Sequence, residues 1–282
     1  MRARRLSAAA LCGILFTSGG LIACGGGGGG GSTTSPSATV TSLGISPGTD
    51  TLKLRASESF TANATMSNGT TNVVTATWRS DNTSVATIDS TGRATGVASG
   101  RATITAEYQG LSANRTLRVV PDYQGTWRGF LSMRSCSATG DWQLADVCGD
   151  LTAGDQDTLS LTLSQQSANV SGTIDIGGFA GPITGTIADN GSLSLTGLYN
   201  TSYDGFPVQI GVSDWQTMSS DNSRMTGRFV FTVRSQPALS GDVRVETDLV
   251  DVNKTAATLM PMRSTHGALG AAVRRARGRV PH

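Results

Sequence analysis

The chain has 282 residues, of which 15% are charged and 36 are glycine, and its formal net charge is +2. That charge is unevenly placed: residues 24–262 carry 14 basic and 20 acidic side chains, a net −6, while residues 263–282 carry five arginines and no acid. An acidic body excludes a general nucleic-acid surface, which needs clustered cations, and the length accommodates two domains of ordinary size.

The first five residues, MRARR, hold three arginines, and Leu6 to Gly20 is apolar or small. A basic start followed by such a run predicts an export signal over residues 1–23. The run is too short and too glycine-broken for a membrane span, which needs about 20 apolar residues. Leu21-Ile22-Ala23-Cys24 resembles a bacterial lipobox. The resemblance implies cleavage before Cys24, lipid (palmitate) on that cysteine, and membrane attachment through it. Gly25 in place of an aspartate implies, by the same resemblance, the outer membrane; a periplasmic or a surface face is left open. Gly25 to Gly31 and the following STTSPS cannot bury apolar surface, so residues 24–37 are expected to be a flexible tether.

Cys12 leaves with the signal and Cys24 takes lipid, so Cys136 and Cys148 remain, and in an exported protein they are predicted to form a disulfide. Closing a loop of that size contributes roughly 3 kcal/mol in the chain-entropy model. Eleven intervening residues do not fit a CxxC redox or metal pair.

Residues 38–120 alternate apolar and polar positions in short runs separated by SPGTD, SNGT, SDNTS and DSTGR, the pattern of an all-β sandwich. The stretch WRSDNTSVATIDSTGRATGVASGRATITAEYQG resembles the bacterial immunoglobulin-like domain of group 2. Trp78, Ser80, Asn82, Val85, Ala86, Ile88, Gly92, Ala94, Gly96, Gly100, Ala102, Ile104 and Ala106 carry the match. The resemblance implies a small sandwich without the antibody-type disulfide, serving as a spacer or as a binding module. Trp78 and the aliphatics read as core, and Gly92, Gly96 and Gly100 as turn positions with positive φ.

Residues 121–262 continue as eight candidate strands in meander order, from GTWRGFLSMR to GDVRVETDLV, with DNG at 189–191 as a hairpin turn. This predicts an up-and-down eight-stranded β-barrel; a second β-sandwich is the alternative, and pairing of the first strand with the last decides between them. Gly125-Thr126-Trp127 resembles the opening of lipocalin- and avidin-like barrels, in which the tryptophan packs across the closed end. Each strand has one apolar face, such as Leu159, Leu161 and Leu163, expected inward rather than against lipid. Gly172, Gly185 and Gly197 share that face. They either let the sheet coil tightly or, with Trp127, line a cavity for an apolar small molecule.

The two histidines, His266 and His282, both fall in the terminal stretch. No triad, G-x-S-x-G elbow, P-loop or H-E-x-x-H is present. Asp146, Asp150, Asp155 and Asp157 form a solvated acidic loop or, without EF-hand spacing, a calcium site. Residues 263–282 read as a frayed basic tail, or one that touches anionic lipid. The expectation is a non-enzyme with no cofactor and no metal: an envelope lipoprotein with a binding, adhesion or display role toward protein or glycan. A carrier of an apolar small molecule is the alternative.

Overall fold

The computed structural model describes residues 37–235, 237–255 and 267–278. The export signal, Cys24, the tether as far as residue 36, Arg263, His266 and His282 lie outside the described residues.

The turn clusters divide the first domain into ten strands: β1 (Val40–Ser46), β2 (Thr51–Lys53), β3 (Ser57–Ser59), β4 (Thr61–Met66), β5 (Thr71–Val74), β6 (Thr77–Ser80), β7 (Ala86–Ile88), β8 (Arg93–Gly96), β9 (Gly100–Tyr108) and β10 (Leu111–Val120). They form sheets ordered β1-β4-β5, β2-β10-β9-β6 and β3-β8-β7, with β2 parallel to β10. Phe60, Ala94, Ile104 and Leu117 fill the space between them, and Trp78 packs against this cluster from a half-buried position. Gly92, with φ of +86°, passes so close to the chain that a Cβ would stand 2.4 Å from the Phe60 carbonyl oxygen. Gly96 departs from the expected positive φ. It ends β8, and its missing side chain makes room for the Lys53 carbonyl, 2.9 Å from where a Cβ would lie.

The second domain is a closed barrel of β11 (Gly125–Ala138), β12 (Gln156–Gln166), β13 (Asn169–Ile176), β14 (Phe179–Ile187), β15 (Leu193–Tyr203), β16 (Phe206–Met218), β17 (Arg224–Arg234) and β18 (Val243–Thr255). Closure is made by β11 and β18, antiparallel from Thr126–Thr255 to Ala138–Val243. That pairing excludes the second sandwich. The alternating aliphatics point inward: Leu159, Leu161, Leu193, Leu195, Ile210, Val212, Phe229, Phe231 and Val245 all belong to one buried cluster.

Between β11 and β12 stand a short helix, α1 (Gly140–Leu144), and a 3-10 turn at Val147–Gly149. Cys136 on β11 is bonded to Cys148 in that turn. Trp142, Val147 and Leu151 drop from this connection into the core. The acidic loop follows a defined course in which Asp146 and Asp150 both face Arg275, apart from Asp155 and Asp157. Asp150 pairs with Arg275, Asp155 accepts hydrogen bonds from the backbone and hydroxyl of Thr152, and Asp157 is buried.

The basic end corrects the expectation of a frayed tail. Ala268–Arg277 is a helix, α2, whose Leu269, Ala272, Val273 and Ala276 join the barrel core. Their spacing places all four on one stripe. Arg274 donates to the Tyr203 hydroxyl and lies over its ring, and Arg277 donates to the Asp204 carbonyl. These arginines are thus held by the chain itself, with Asp157 accepting from the backbone of Leu269 in the first turn of the helix, where a carboxylate is favoured by the helix dipole.

The sandwich and the barrel meet without a flexible linker; Ala38 onward forms one unit. Arg101 and Arg118 of the sandwich both reach Asp189, in the β14–β15 turn, at 2.7 Å. Asp122 is gripped by Lys53 at 2.8 Å and Lys254 at 3.2 Å. Tyr123 is fully buried; its hydroxyl donates to the Gly191 carbonyl and accepts from the Ser219 amide. Asn222 donates across the junction to the Leu54 carbonyl while its own oxygen accepts from the Asp122 amide.

The hydrogen bond from Arg101 holds the Asp189 carboxyl below the usual range, aided by the charges of Arg101 and Arg118. Burial pushes Asp122 upward, but the bonds from Lys53 and Lys254 outweigh it and the net shift is down. Both folded-state values are depressed, so this stabilisation is complete above the unfolded aspartate value of about 4 and is lost as pH falls through the lower folded values. The expected result is one calorimetric unfolding transition at neutral pH that splits into separate sandwich and barrel transitions in acid, below about pH 4. Asp189→Asn splits it already at neutral pH.

Candidate functional site

The residues expected to line a cavity lie on the inner face of the barrel wall, among buried apolar side chains. Trp127 is fully buried, its indole N–H donates to the Tyr123 carbonyl at 2.7 Å, and Lys254 lies over its ring. A Cβ on Gly172 would stand 2.0 Å from the Thr162 carbonyl oxygen, one on Gly185 1.9 Å from that of Ser194, and one on Gly197 2.8 Å from that of Pro182. Each inward glycine is occupied by the neighbouring strand's backbone. They therefore permit the tight coil of the wall, as glycine in a strongly bent strand does. Gly181 works similarly beneath the ring of Tyr199, whose hydroxyl donates to the Phe179 carbonyl.

The outward face has a different character. No Lys or Arg occurs between Arg134 and Arg224, and β12 to β15 present hydroxyls and amides to solvent. Cross-strand register aligns them in rows. One runs Gln166–Asn169–Thr186–Ser194, and the next Ser164–Ser171–Thr184–Thr196. Neighbouring members of a row are about 4.8 Å apart, the strand spacing. Among the described residues, none of these eight side chains is engaged in a hydrogen bond.

The first row leads into a groove. On β16, Asp214 takes a positive φ of 50° and the pairing with both neighbours shifts register there. One extra residue in an antiparallel strand makes a β-bulge, which bends the strand and opens the ladder. The result is a surface groove of about 690 Å³ bordered by Asn190, Ser194, Asp214, Gln216, Met218 and Thr226. Trp215 turns inward against Phe229, with ring centroids 4.4 Å apart, and donates to the Thr217 hydroxyl. Met218 stays 53% exposed and supplies an apolar side. Asn190 spends its oxygen on the amide and hydroxyl of Ser192, which leaves its NH₂ outward.

On the far side of Gln216, its register partner on β17 is Arg228. A second recess, sharing Asp214 and Gln216, continues there between Arg134, Arg228, Arg244 and Glu246. Arg134 pairs with Asp248, and Arg244 with Asp214 and Glu246. Among the described residues no carboxylate lies within ion-pair distance of Arg228, so this end carries an uncompensated, exposed cation. Sequence reasoning missed the groove. The interval without Lys or Arg was a visible signal; the bulge that opens the recess was not.

Fold and surface together define a sandwich joined by ion pairs and hydrogen bonds to a closed barrel, with unengaged polar side chains on the barrel's outer face. Residues 39–110 match the model of the bacterial Ig-like domain (group 2), and β10 completes that sandwich beyond the matched segment. The chain is 30% identical over 138 residues to Ice-binding protein 1 of Shewanella frigidimarina (strain NCIMB 400), a match covering 44% of this chain and 16% of that protein. It thus spans about a sixth of the length of that relative. Among solved structures, domains 5–6 of the S-layer protein SbsC align with 74% of this chain and 98% of their own at 17% identity and a TM-score of 0.28. Domains 4–9 of the same protein cover 74% and 31% at 15% identity and a TM-score of 0.29.

Proposed function

We propose that the protein is a lipid-anchored binding or display protein of the bacterial cell envelope, without catalysis. Cys24 holds it to the membrane, the glycine stretch spaces it, the Ig-like sandwich extends it, and the barrel is the part presented. The carrying observation is the barrel's inner face, packed with buried apolar side chains. With Trp127 and the three glycines in contact with the wall, recognition by this domain falls to its outer face. The bonded sandwich–barrel junction supports a spacer role for the sandwich. The match to a protein named for binding supports a non-catalytic reading. Outer-membrane residence and protein or glycan partners belong to the same proposal.

Growth with radiolabelled palmitate tests it. The expected result is label on the wild-type chain, recovered with outer membranes, and none on Cys24→Ser, which moves to the soluble fraction. Equal label on both, or wild-type protein free of membranes, refutes the anchored reading.

A further inference from the structure

The geometry points to the groove beside the β16 bulge as a saccharide site, with Gln216, Ser194 and Thr226 as its hydrogen-bonding residues and Arg228 as a selector for acidic sugars. The inference deepens the proposed envelope role and rests on it for the setting alone.

A sugar ring presents several hydroxyls that each donate and accept, so its site needs side chains with both capacities that are not already spent. Thr186 and Ser194, paired in register, and Gln216 on the bulged strand beside them meet that need. An amide supplies a carbonyl and an NH₂, a hydroxyl supplies both functions, and these three are unengaged among the described residues. The outward NH₂ of Asn190 and the Asp214 carboxylate add one donor and one acceptor on the rim. Met218 offers the apolar patch that a ring's C–H face prefers. The groove's volume, about 690 Å³, lies within the range that holds a small ligand. Thr162 and Thr173 and the Ser164–Thr196 row extend the hydroxyl surface beside it, so a chain longer than the groove still meets neutral partners.

Charge narrows the ligand further. The rim toward β12 to β15 is neutral, which disfavours a densely charged polymer. Arg228, opposite Gln216 in register and free of a carboxylate among the described residues, adds a single cation at one end. A saccharide with a carboxylate on one residue in several suits that arrangement better than a nucleic acid or a lipid headgroup. Ice, the ligand in the relative's name, presents flat crystal faces. A wall that closes with eight strands curves away from a plane within a strand or two.

The test uses the full-length protein, purified from membranes in mild detergent, on an array of neutral glucan, mannan and N-acetylglucosamine oligomers beside uronic-acid-containing oligomers. Titration calorimetry follows with the strongest probe. Binding of at least one saccharide is expected, with affinity lowered about tenfold by Gln216→Ala and similarly by Thr226→Ala, the loss of one or two neutral hydrogen bonds. Ser112→Ala, on the sandwich, changes nothing. Arg228→Gln weakens uronic-acid oligomers and leaves neutral ones unchanged; equal effects on both overturn the selector role. No saccharide bound, binding indifferent to Gln216 and Thr226, or inhibition of ice recrystallisation in place of saccharide binding overturns the site. Thermal midpoints within a degree or two of wild type exclude misfolding, since these side chains are exposed. Palmitate labelling and fractionation are read on the same variants, so failure of the groove and failure of the envelope role are separate outcomes.

Discussion

Val273→Asp detaches the C-terminal helix and lowers the barrel's stability by about 4 kcal/mol, a drop of roughly 8–16 °C in midpoint for a domain of this size. Val273 is fully buried with Leu269 and Ala276 in the core cluster. A carboxylate there has no partner and must drag the helix into water, exposing the apolar surface it covers at about 25 cal/mol per Å². Arg274→Ala on the same helix costs far less, about 1 kcal/mol, because it deletes one contact with Tyr203 at the rim. Hydrogen exchange over residues 267–278 separates the two: protection vanishes in the first variant and persists in the second. Retained protection in Val273→Asp would mean that the helix contributes little to closing the core.

Gly185→Ala destabilises the barrel by roughly 3 kcal/mol, the upper range for overpacking. The added methyl falls 1.9 Å from a backbone oxygen of the next strand and 2.8 Å from the Leu195 side chain. A side chain can swing away; a hydrogen-bonded strand cannot. Gly172→Ala behaves alike, with Thr162 in the part of Ser194. Gly69→Ala is the contrast. Its site is open and only its φ of +83° opposes a side chain, so the loss is about 1 kcal/mol. Urea unfolding of the three variants checks the ranking, and a Gly185→Ala protein as stable as Gly69→Ala would restore the idea of space inside the barrel.

Much of this architecture is legible from period alone. The alternation of Leu159, Leu161 and Leu163 with Ser160, Thr162 and Ser164 gives both the strand and the face it buries. The DNG turn places β14 beside β15. The inward parity of Gly172, Gly185 and Gly197 is read correctly, but parity does not tell whether the space above a glycine is empty or filled by a neighbouring strand. That depends on how hard the wall coils. The helix at 268–277 is obscured by its arginines, although Leu269, Ala272, Val273 and Ala276 recur at the spacing of one helical face. The groove is beyond local pattern. A bulge is a mismatch in residue number between two strands, and nothing in SDWQT alone shows that its neighbours hold one residue fewer.

The parallel pairing of β2 with β10 gives the sandwich a mechanical character. Its chain enters near β1 and leaves through β10 toward Tyr123, which is buried against the barrel core. A pull between those ends loads Thr51–Arg118, Leu52–Val119 and Lys53–Val120 along the strand axes. The bonds across that seam then bear the load together instead of opening one at a time like a zip. A protein held at one end and gripping a partner at the other would transmit tension through its spacer without lengthening.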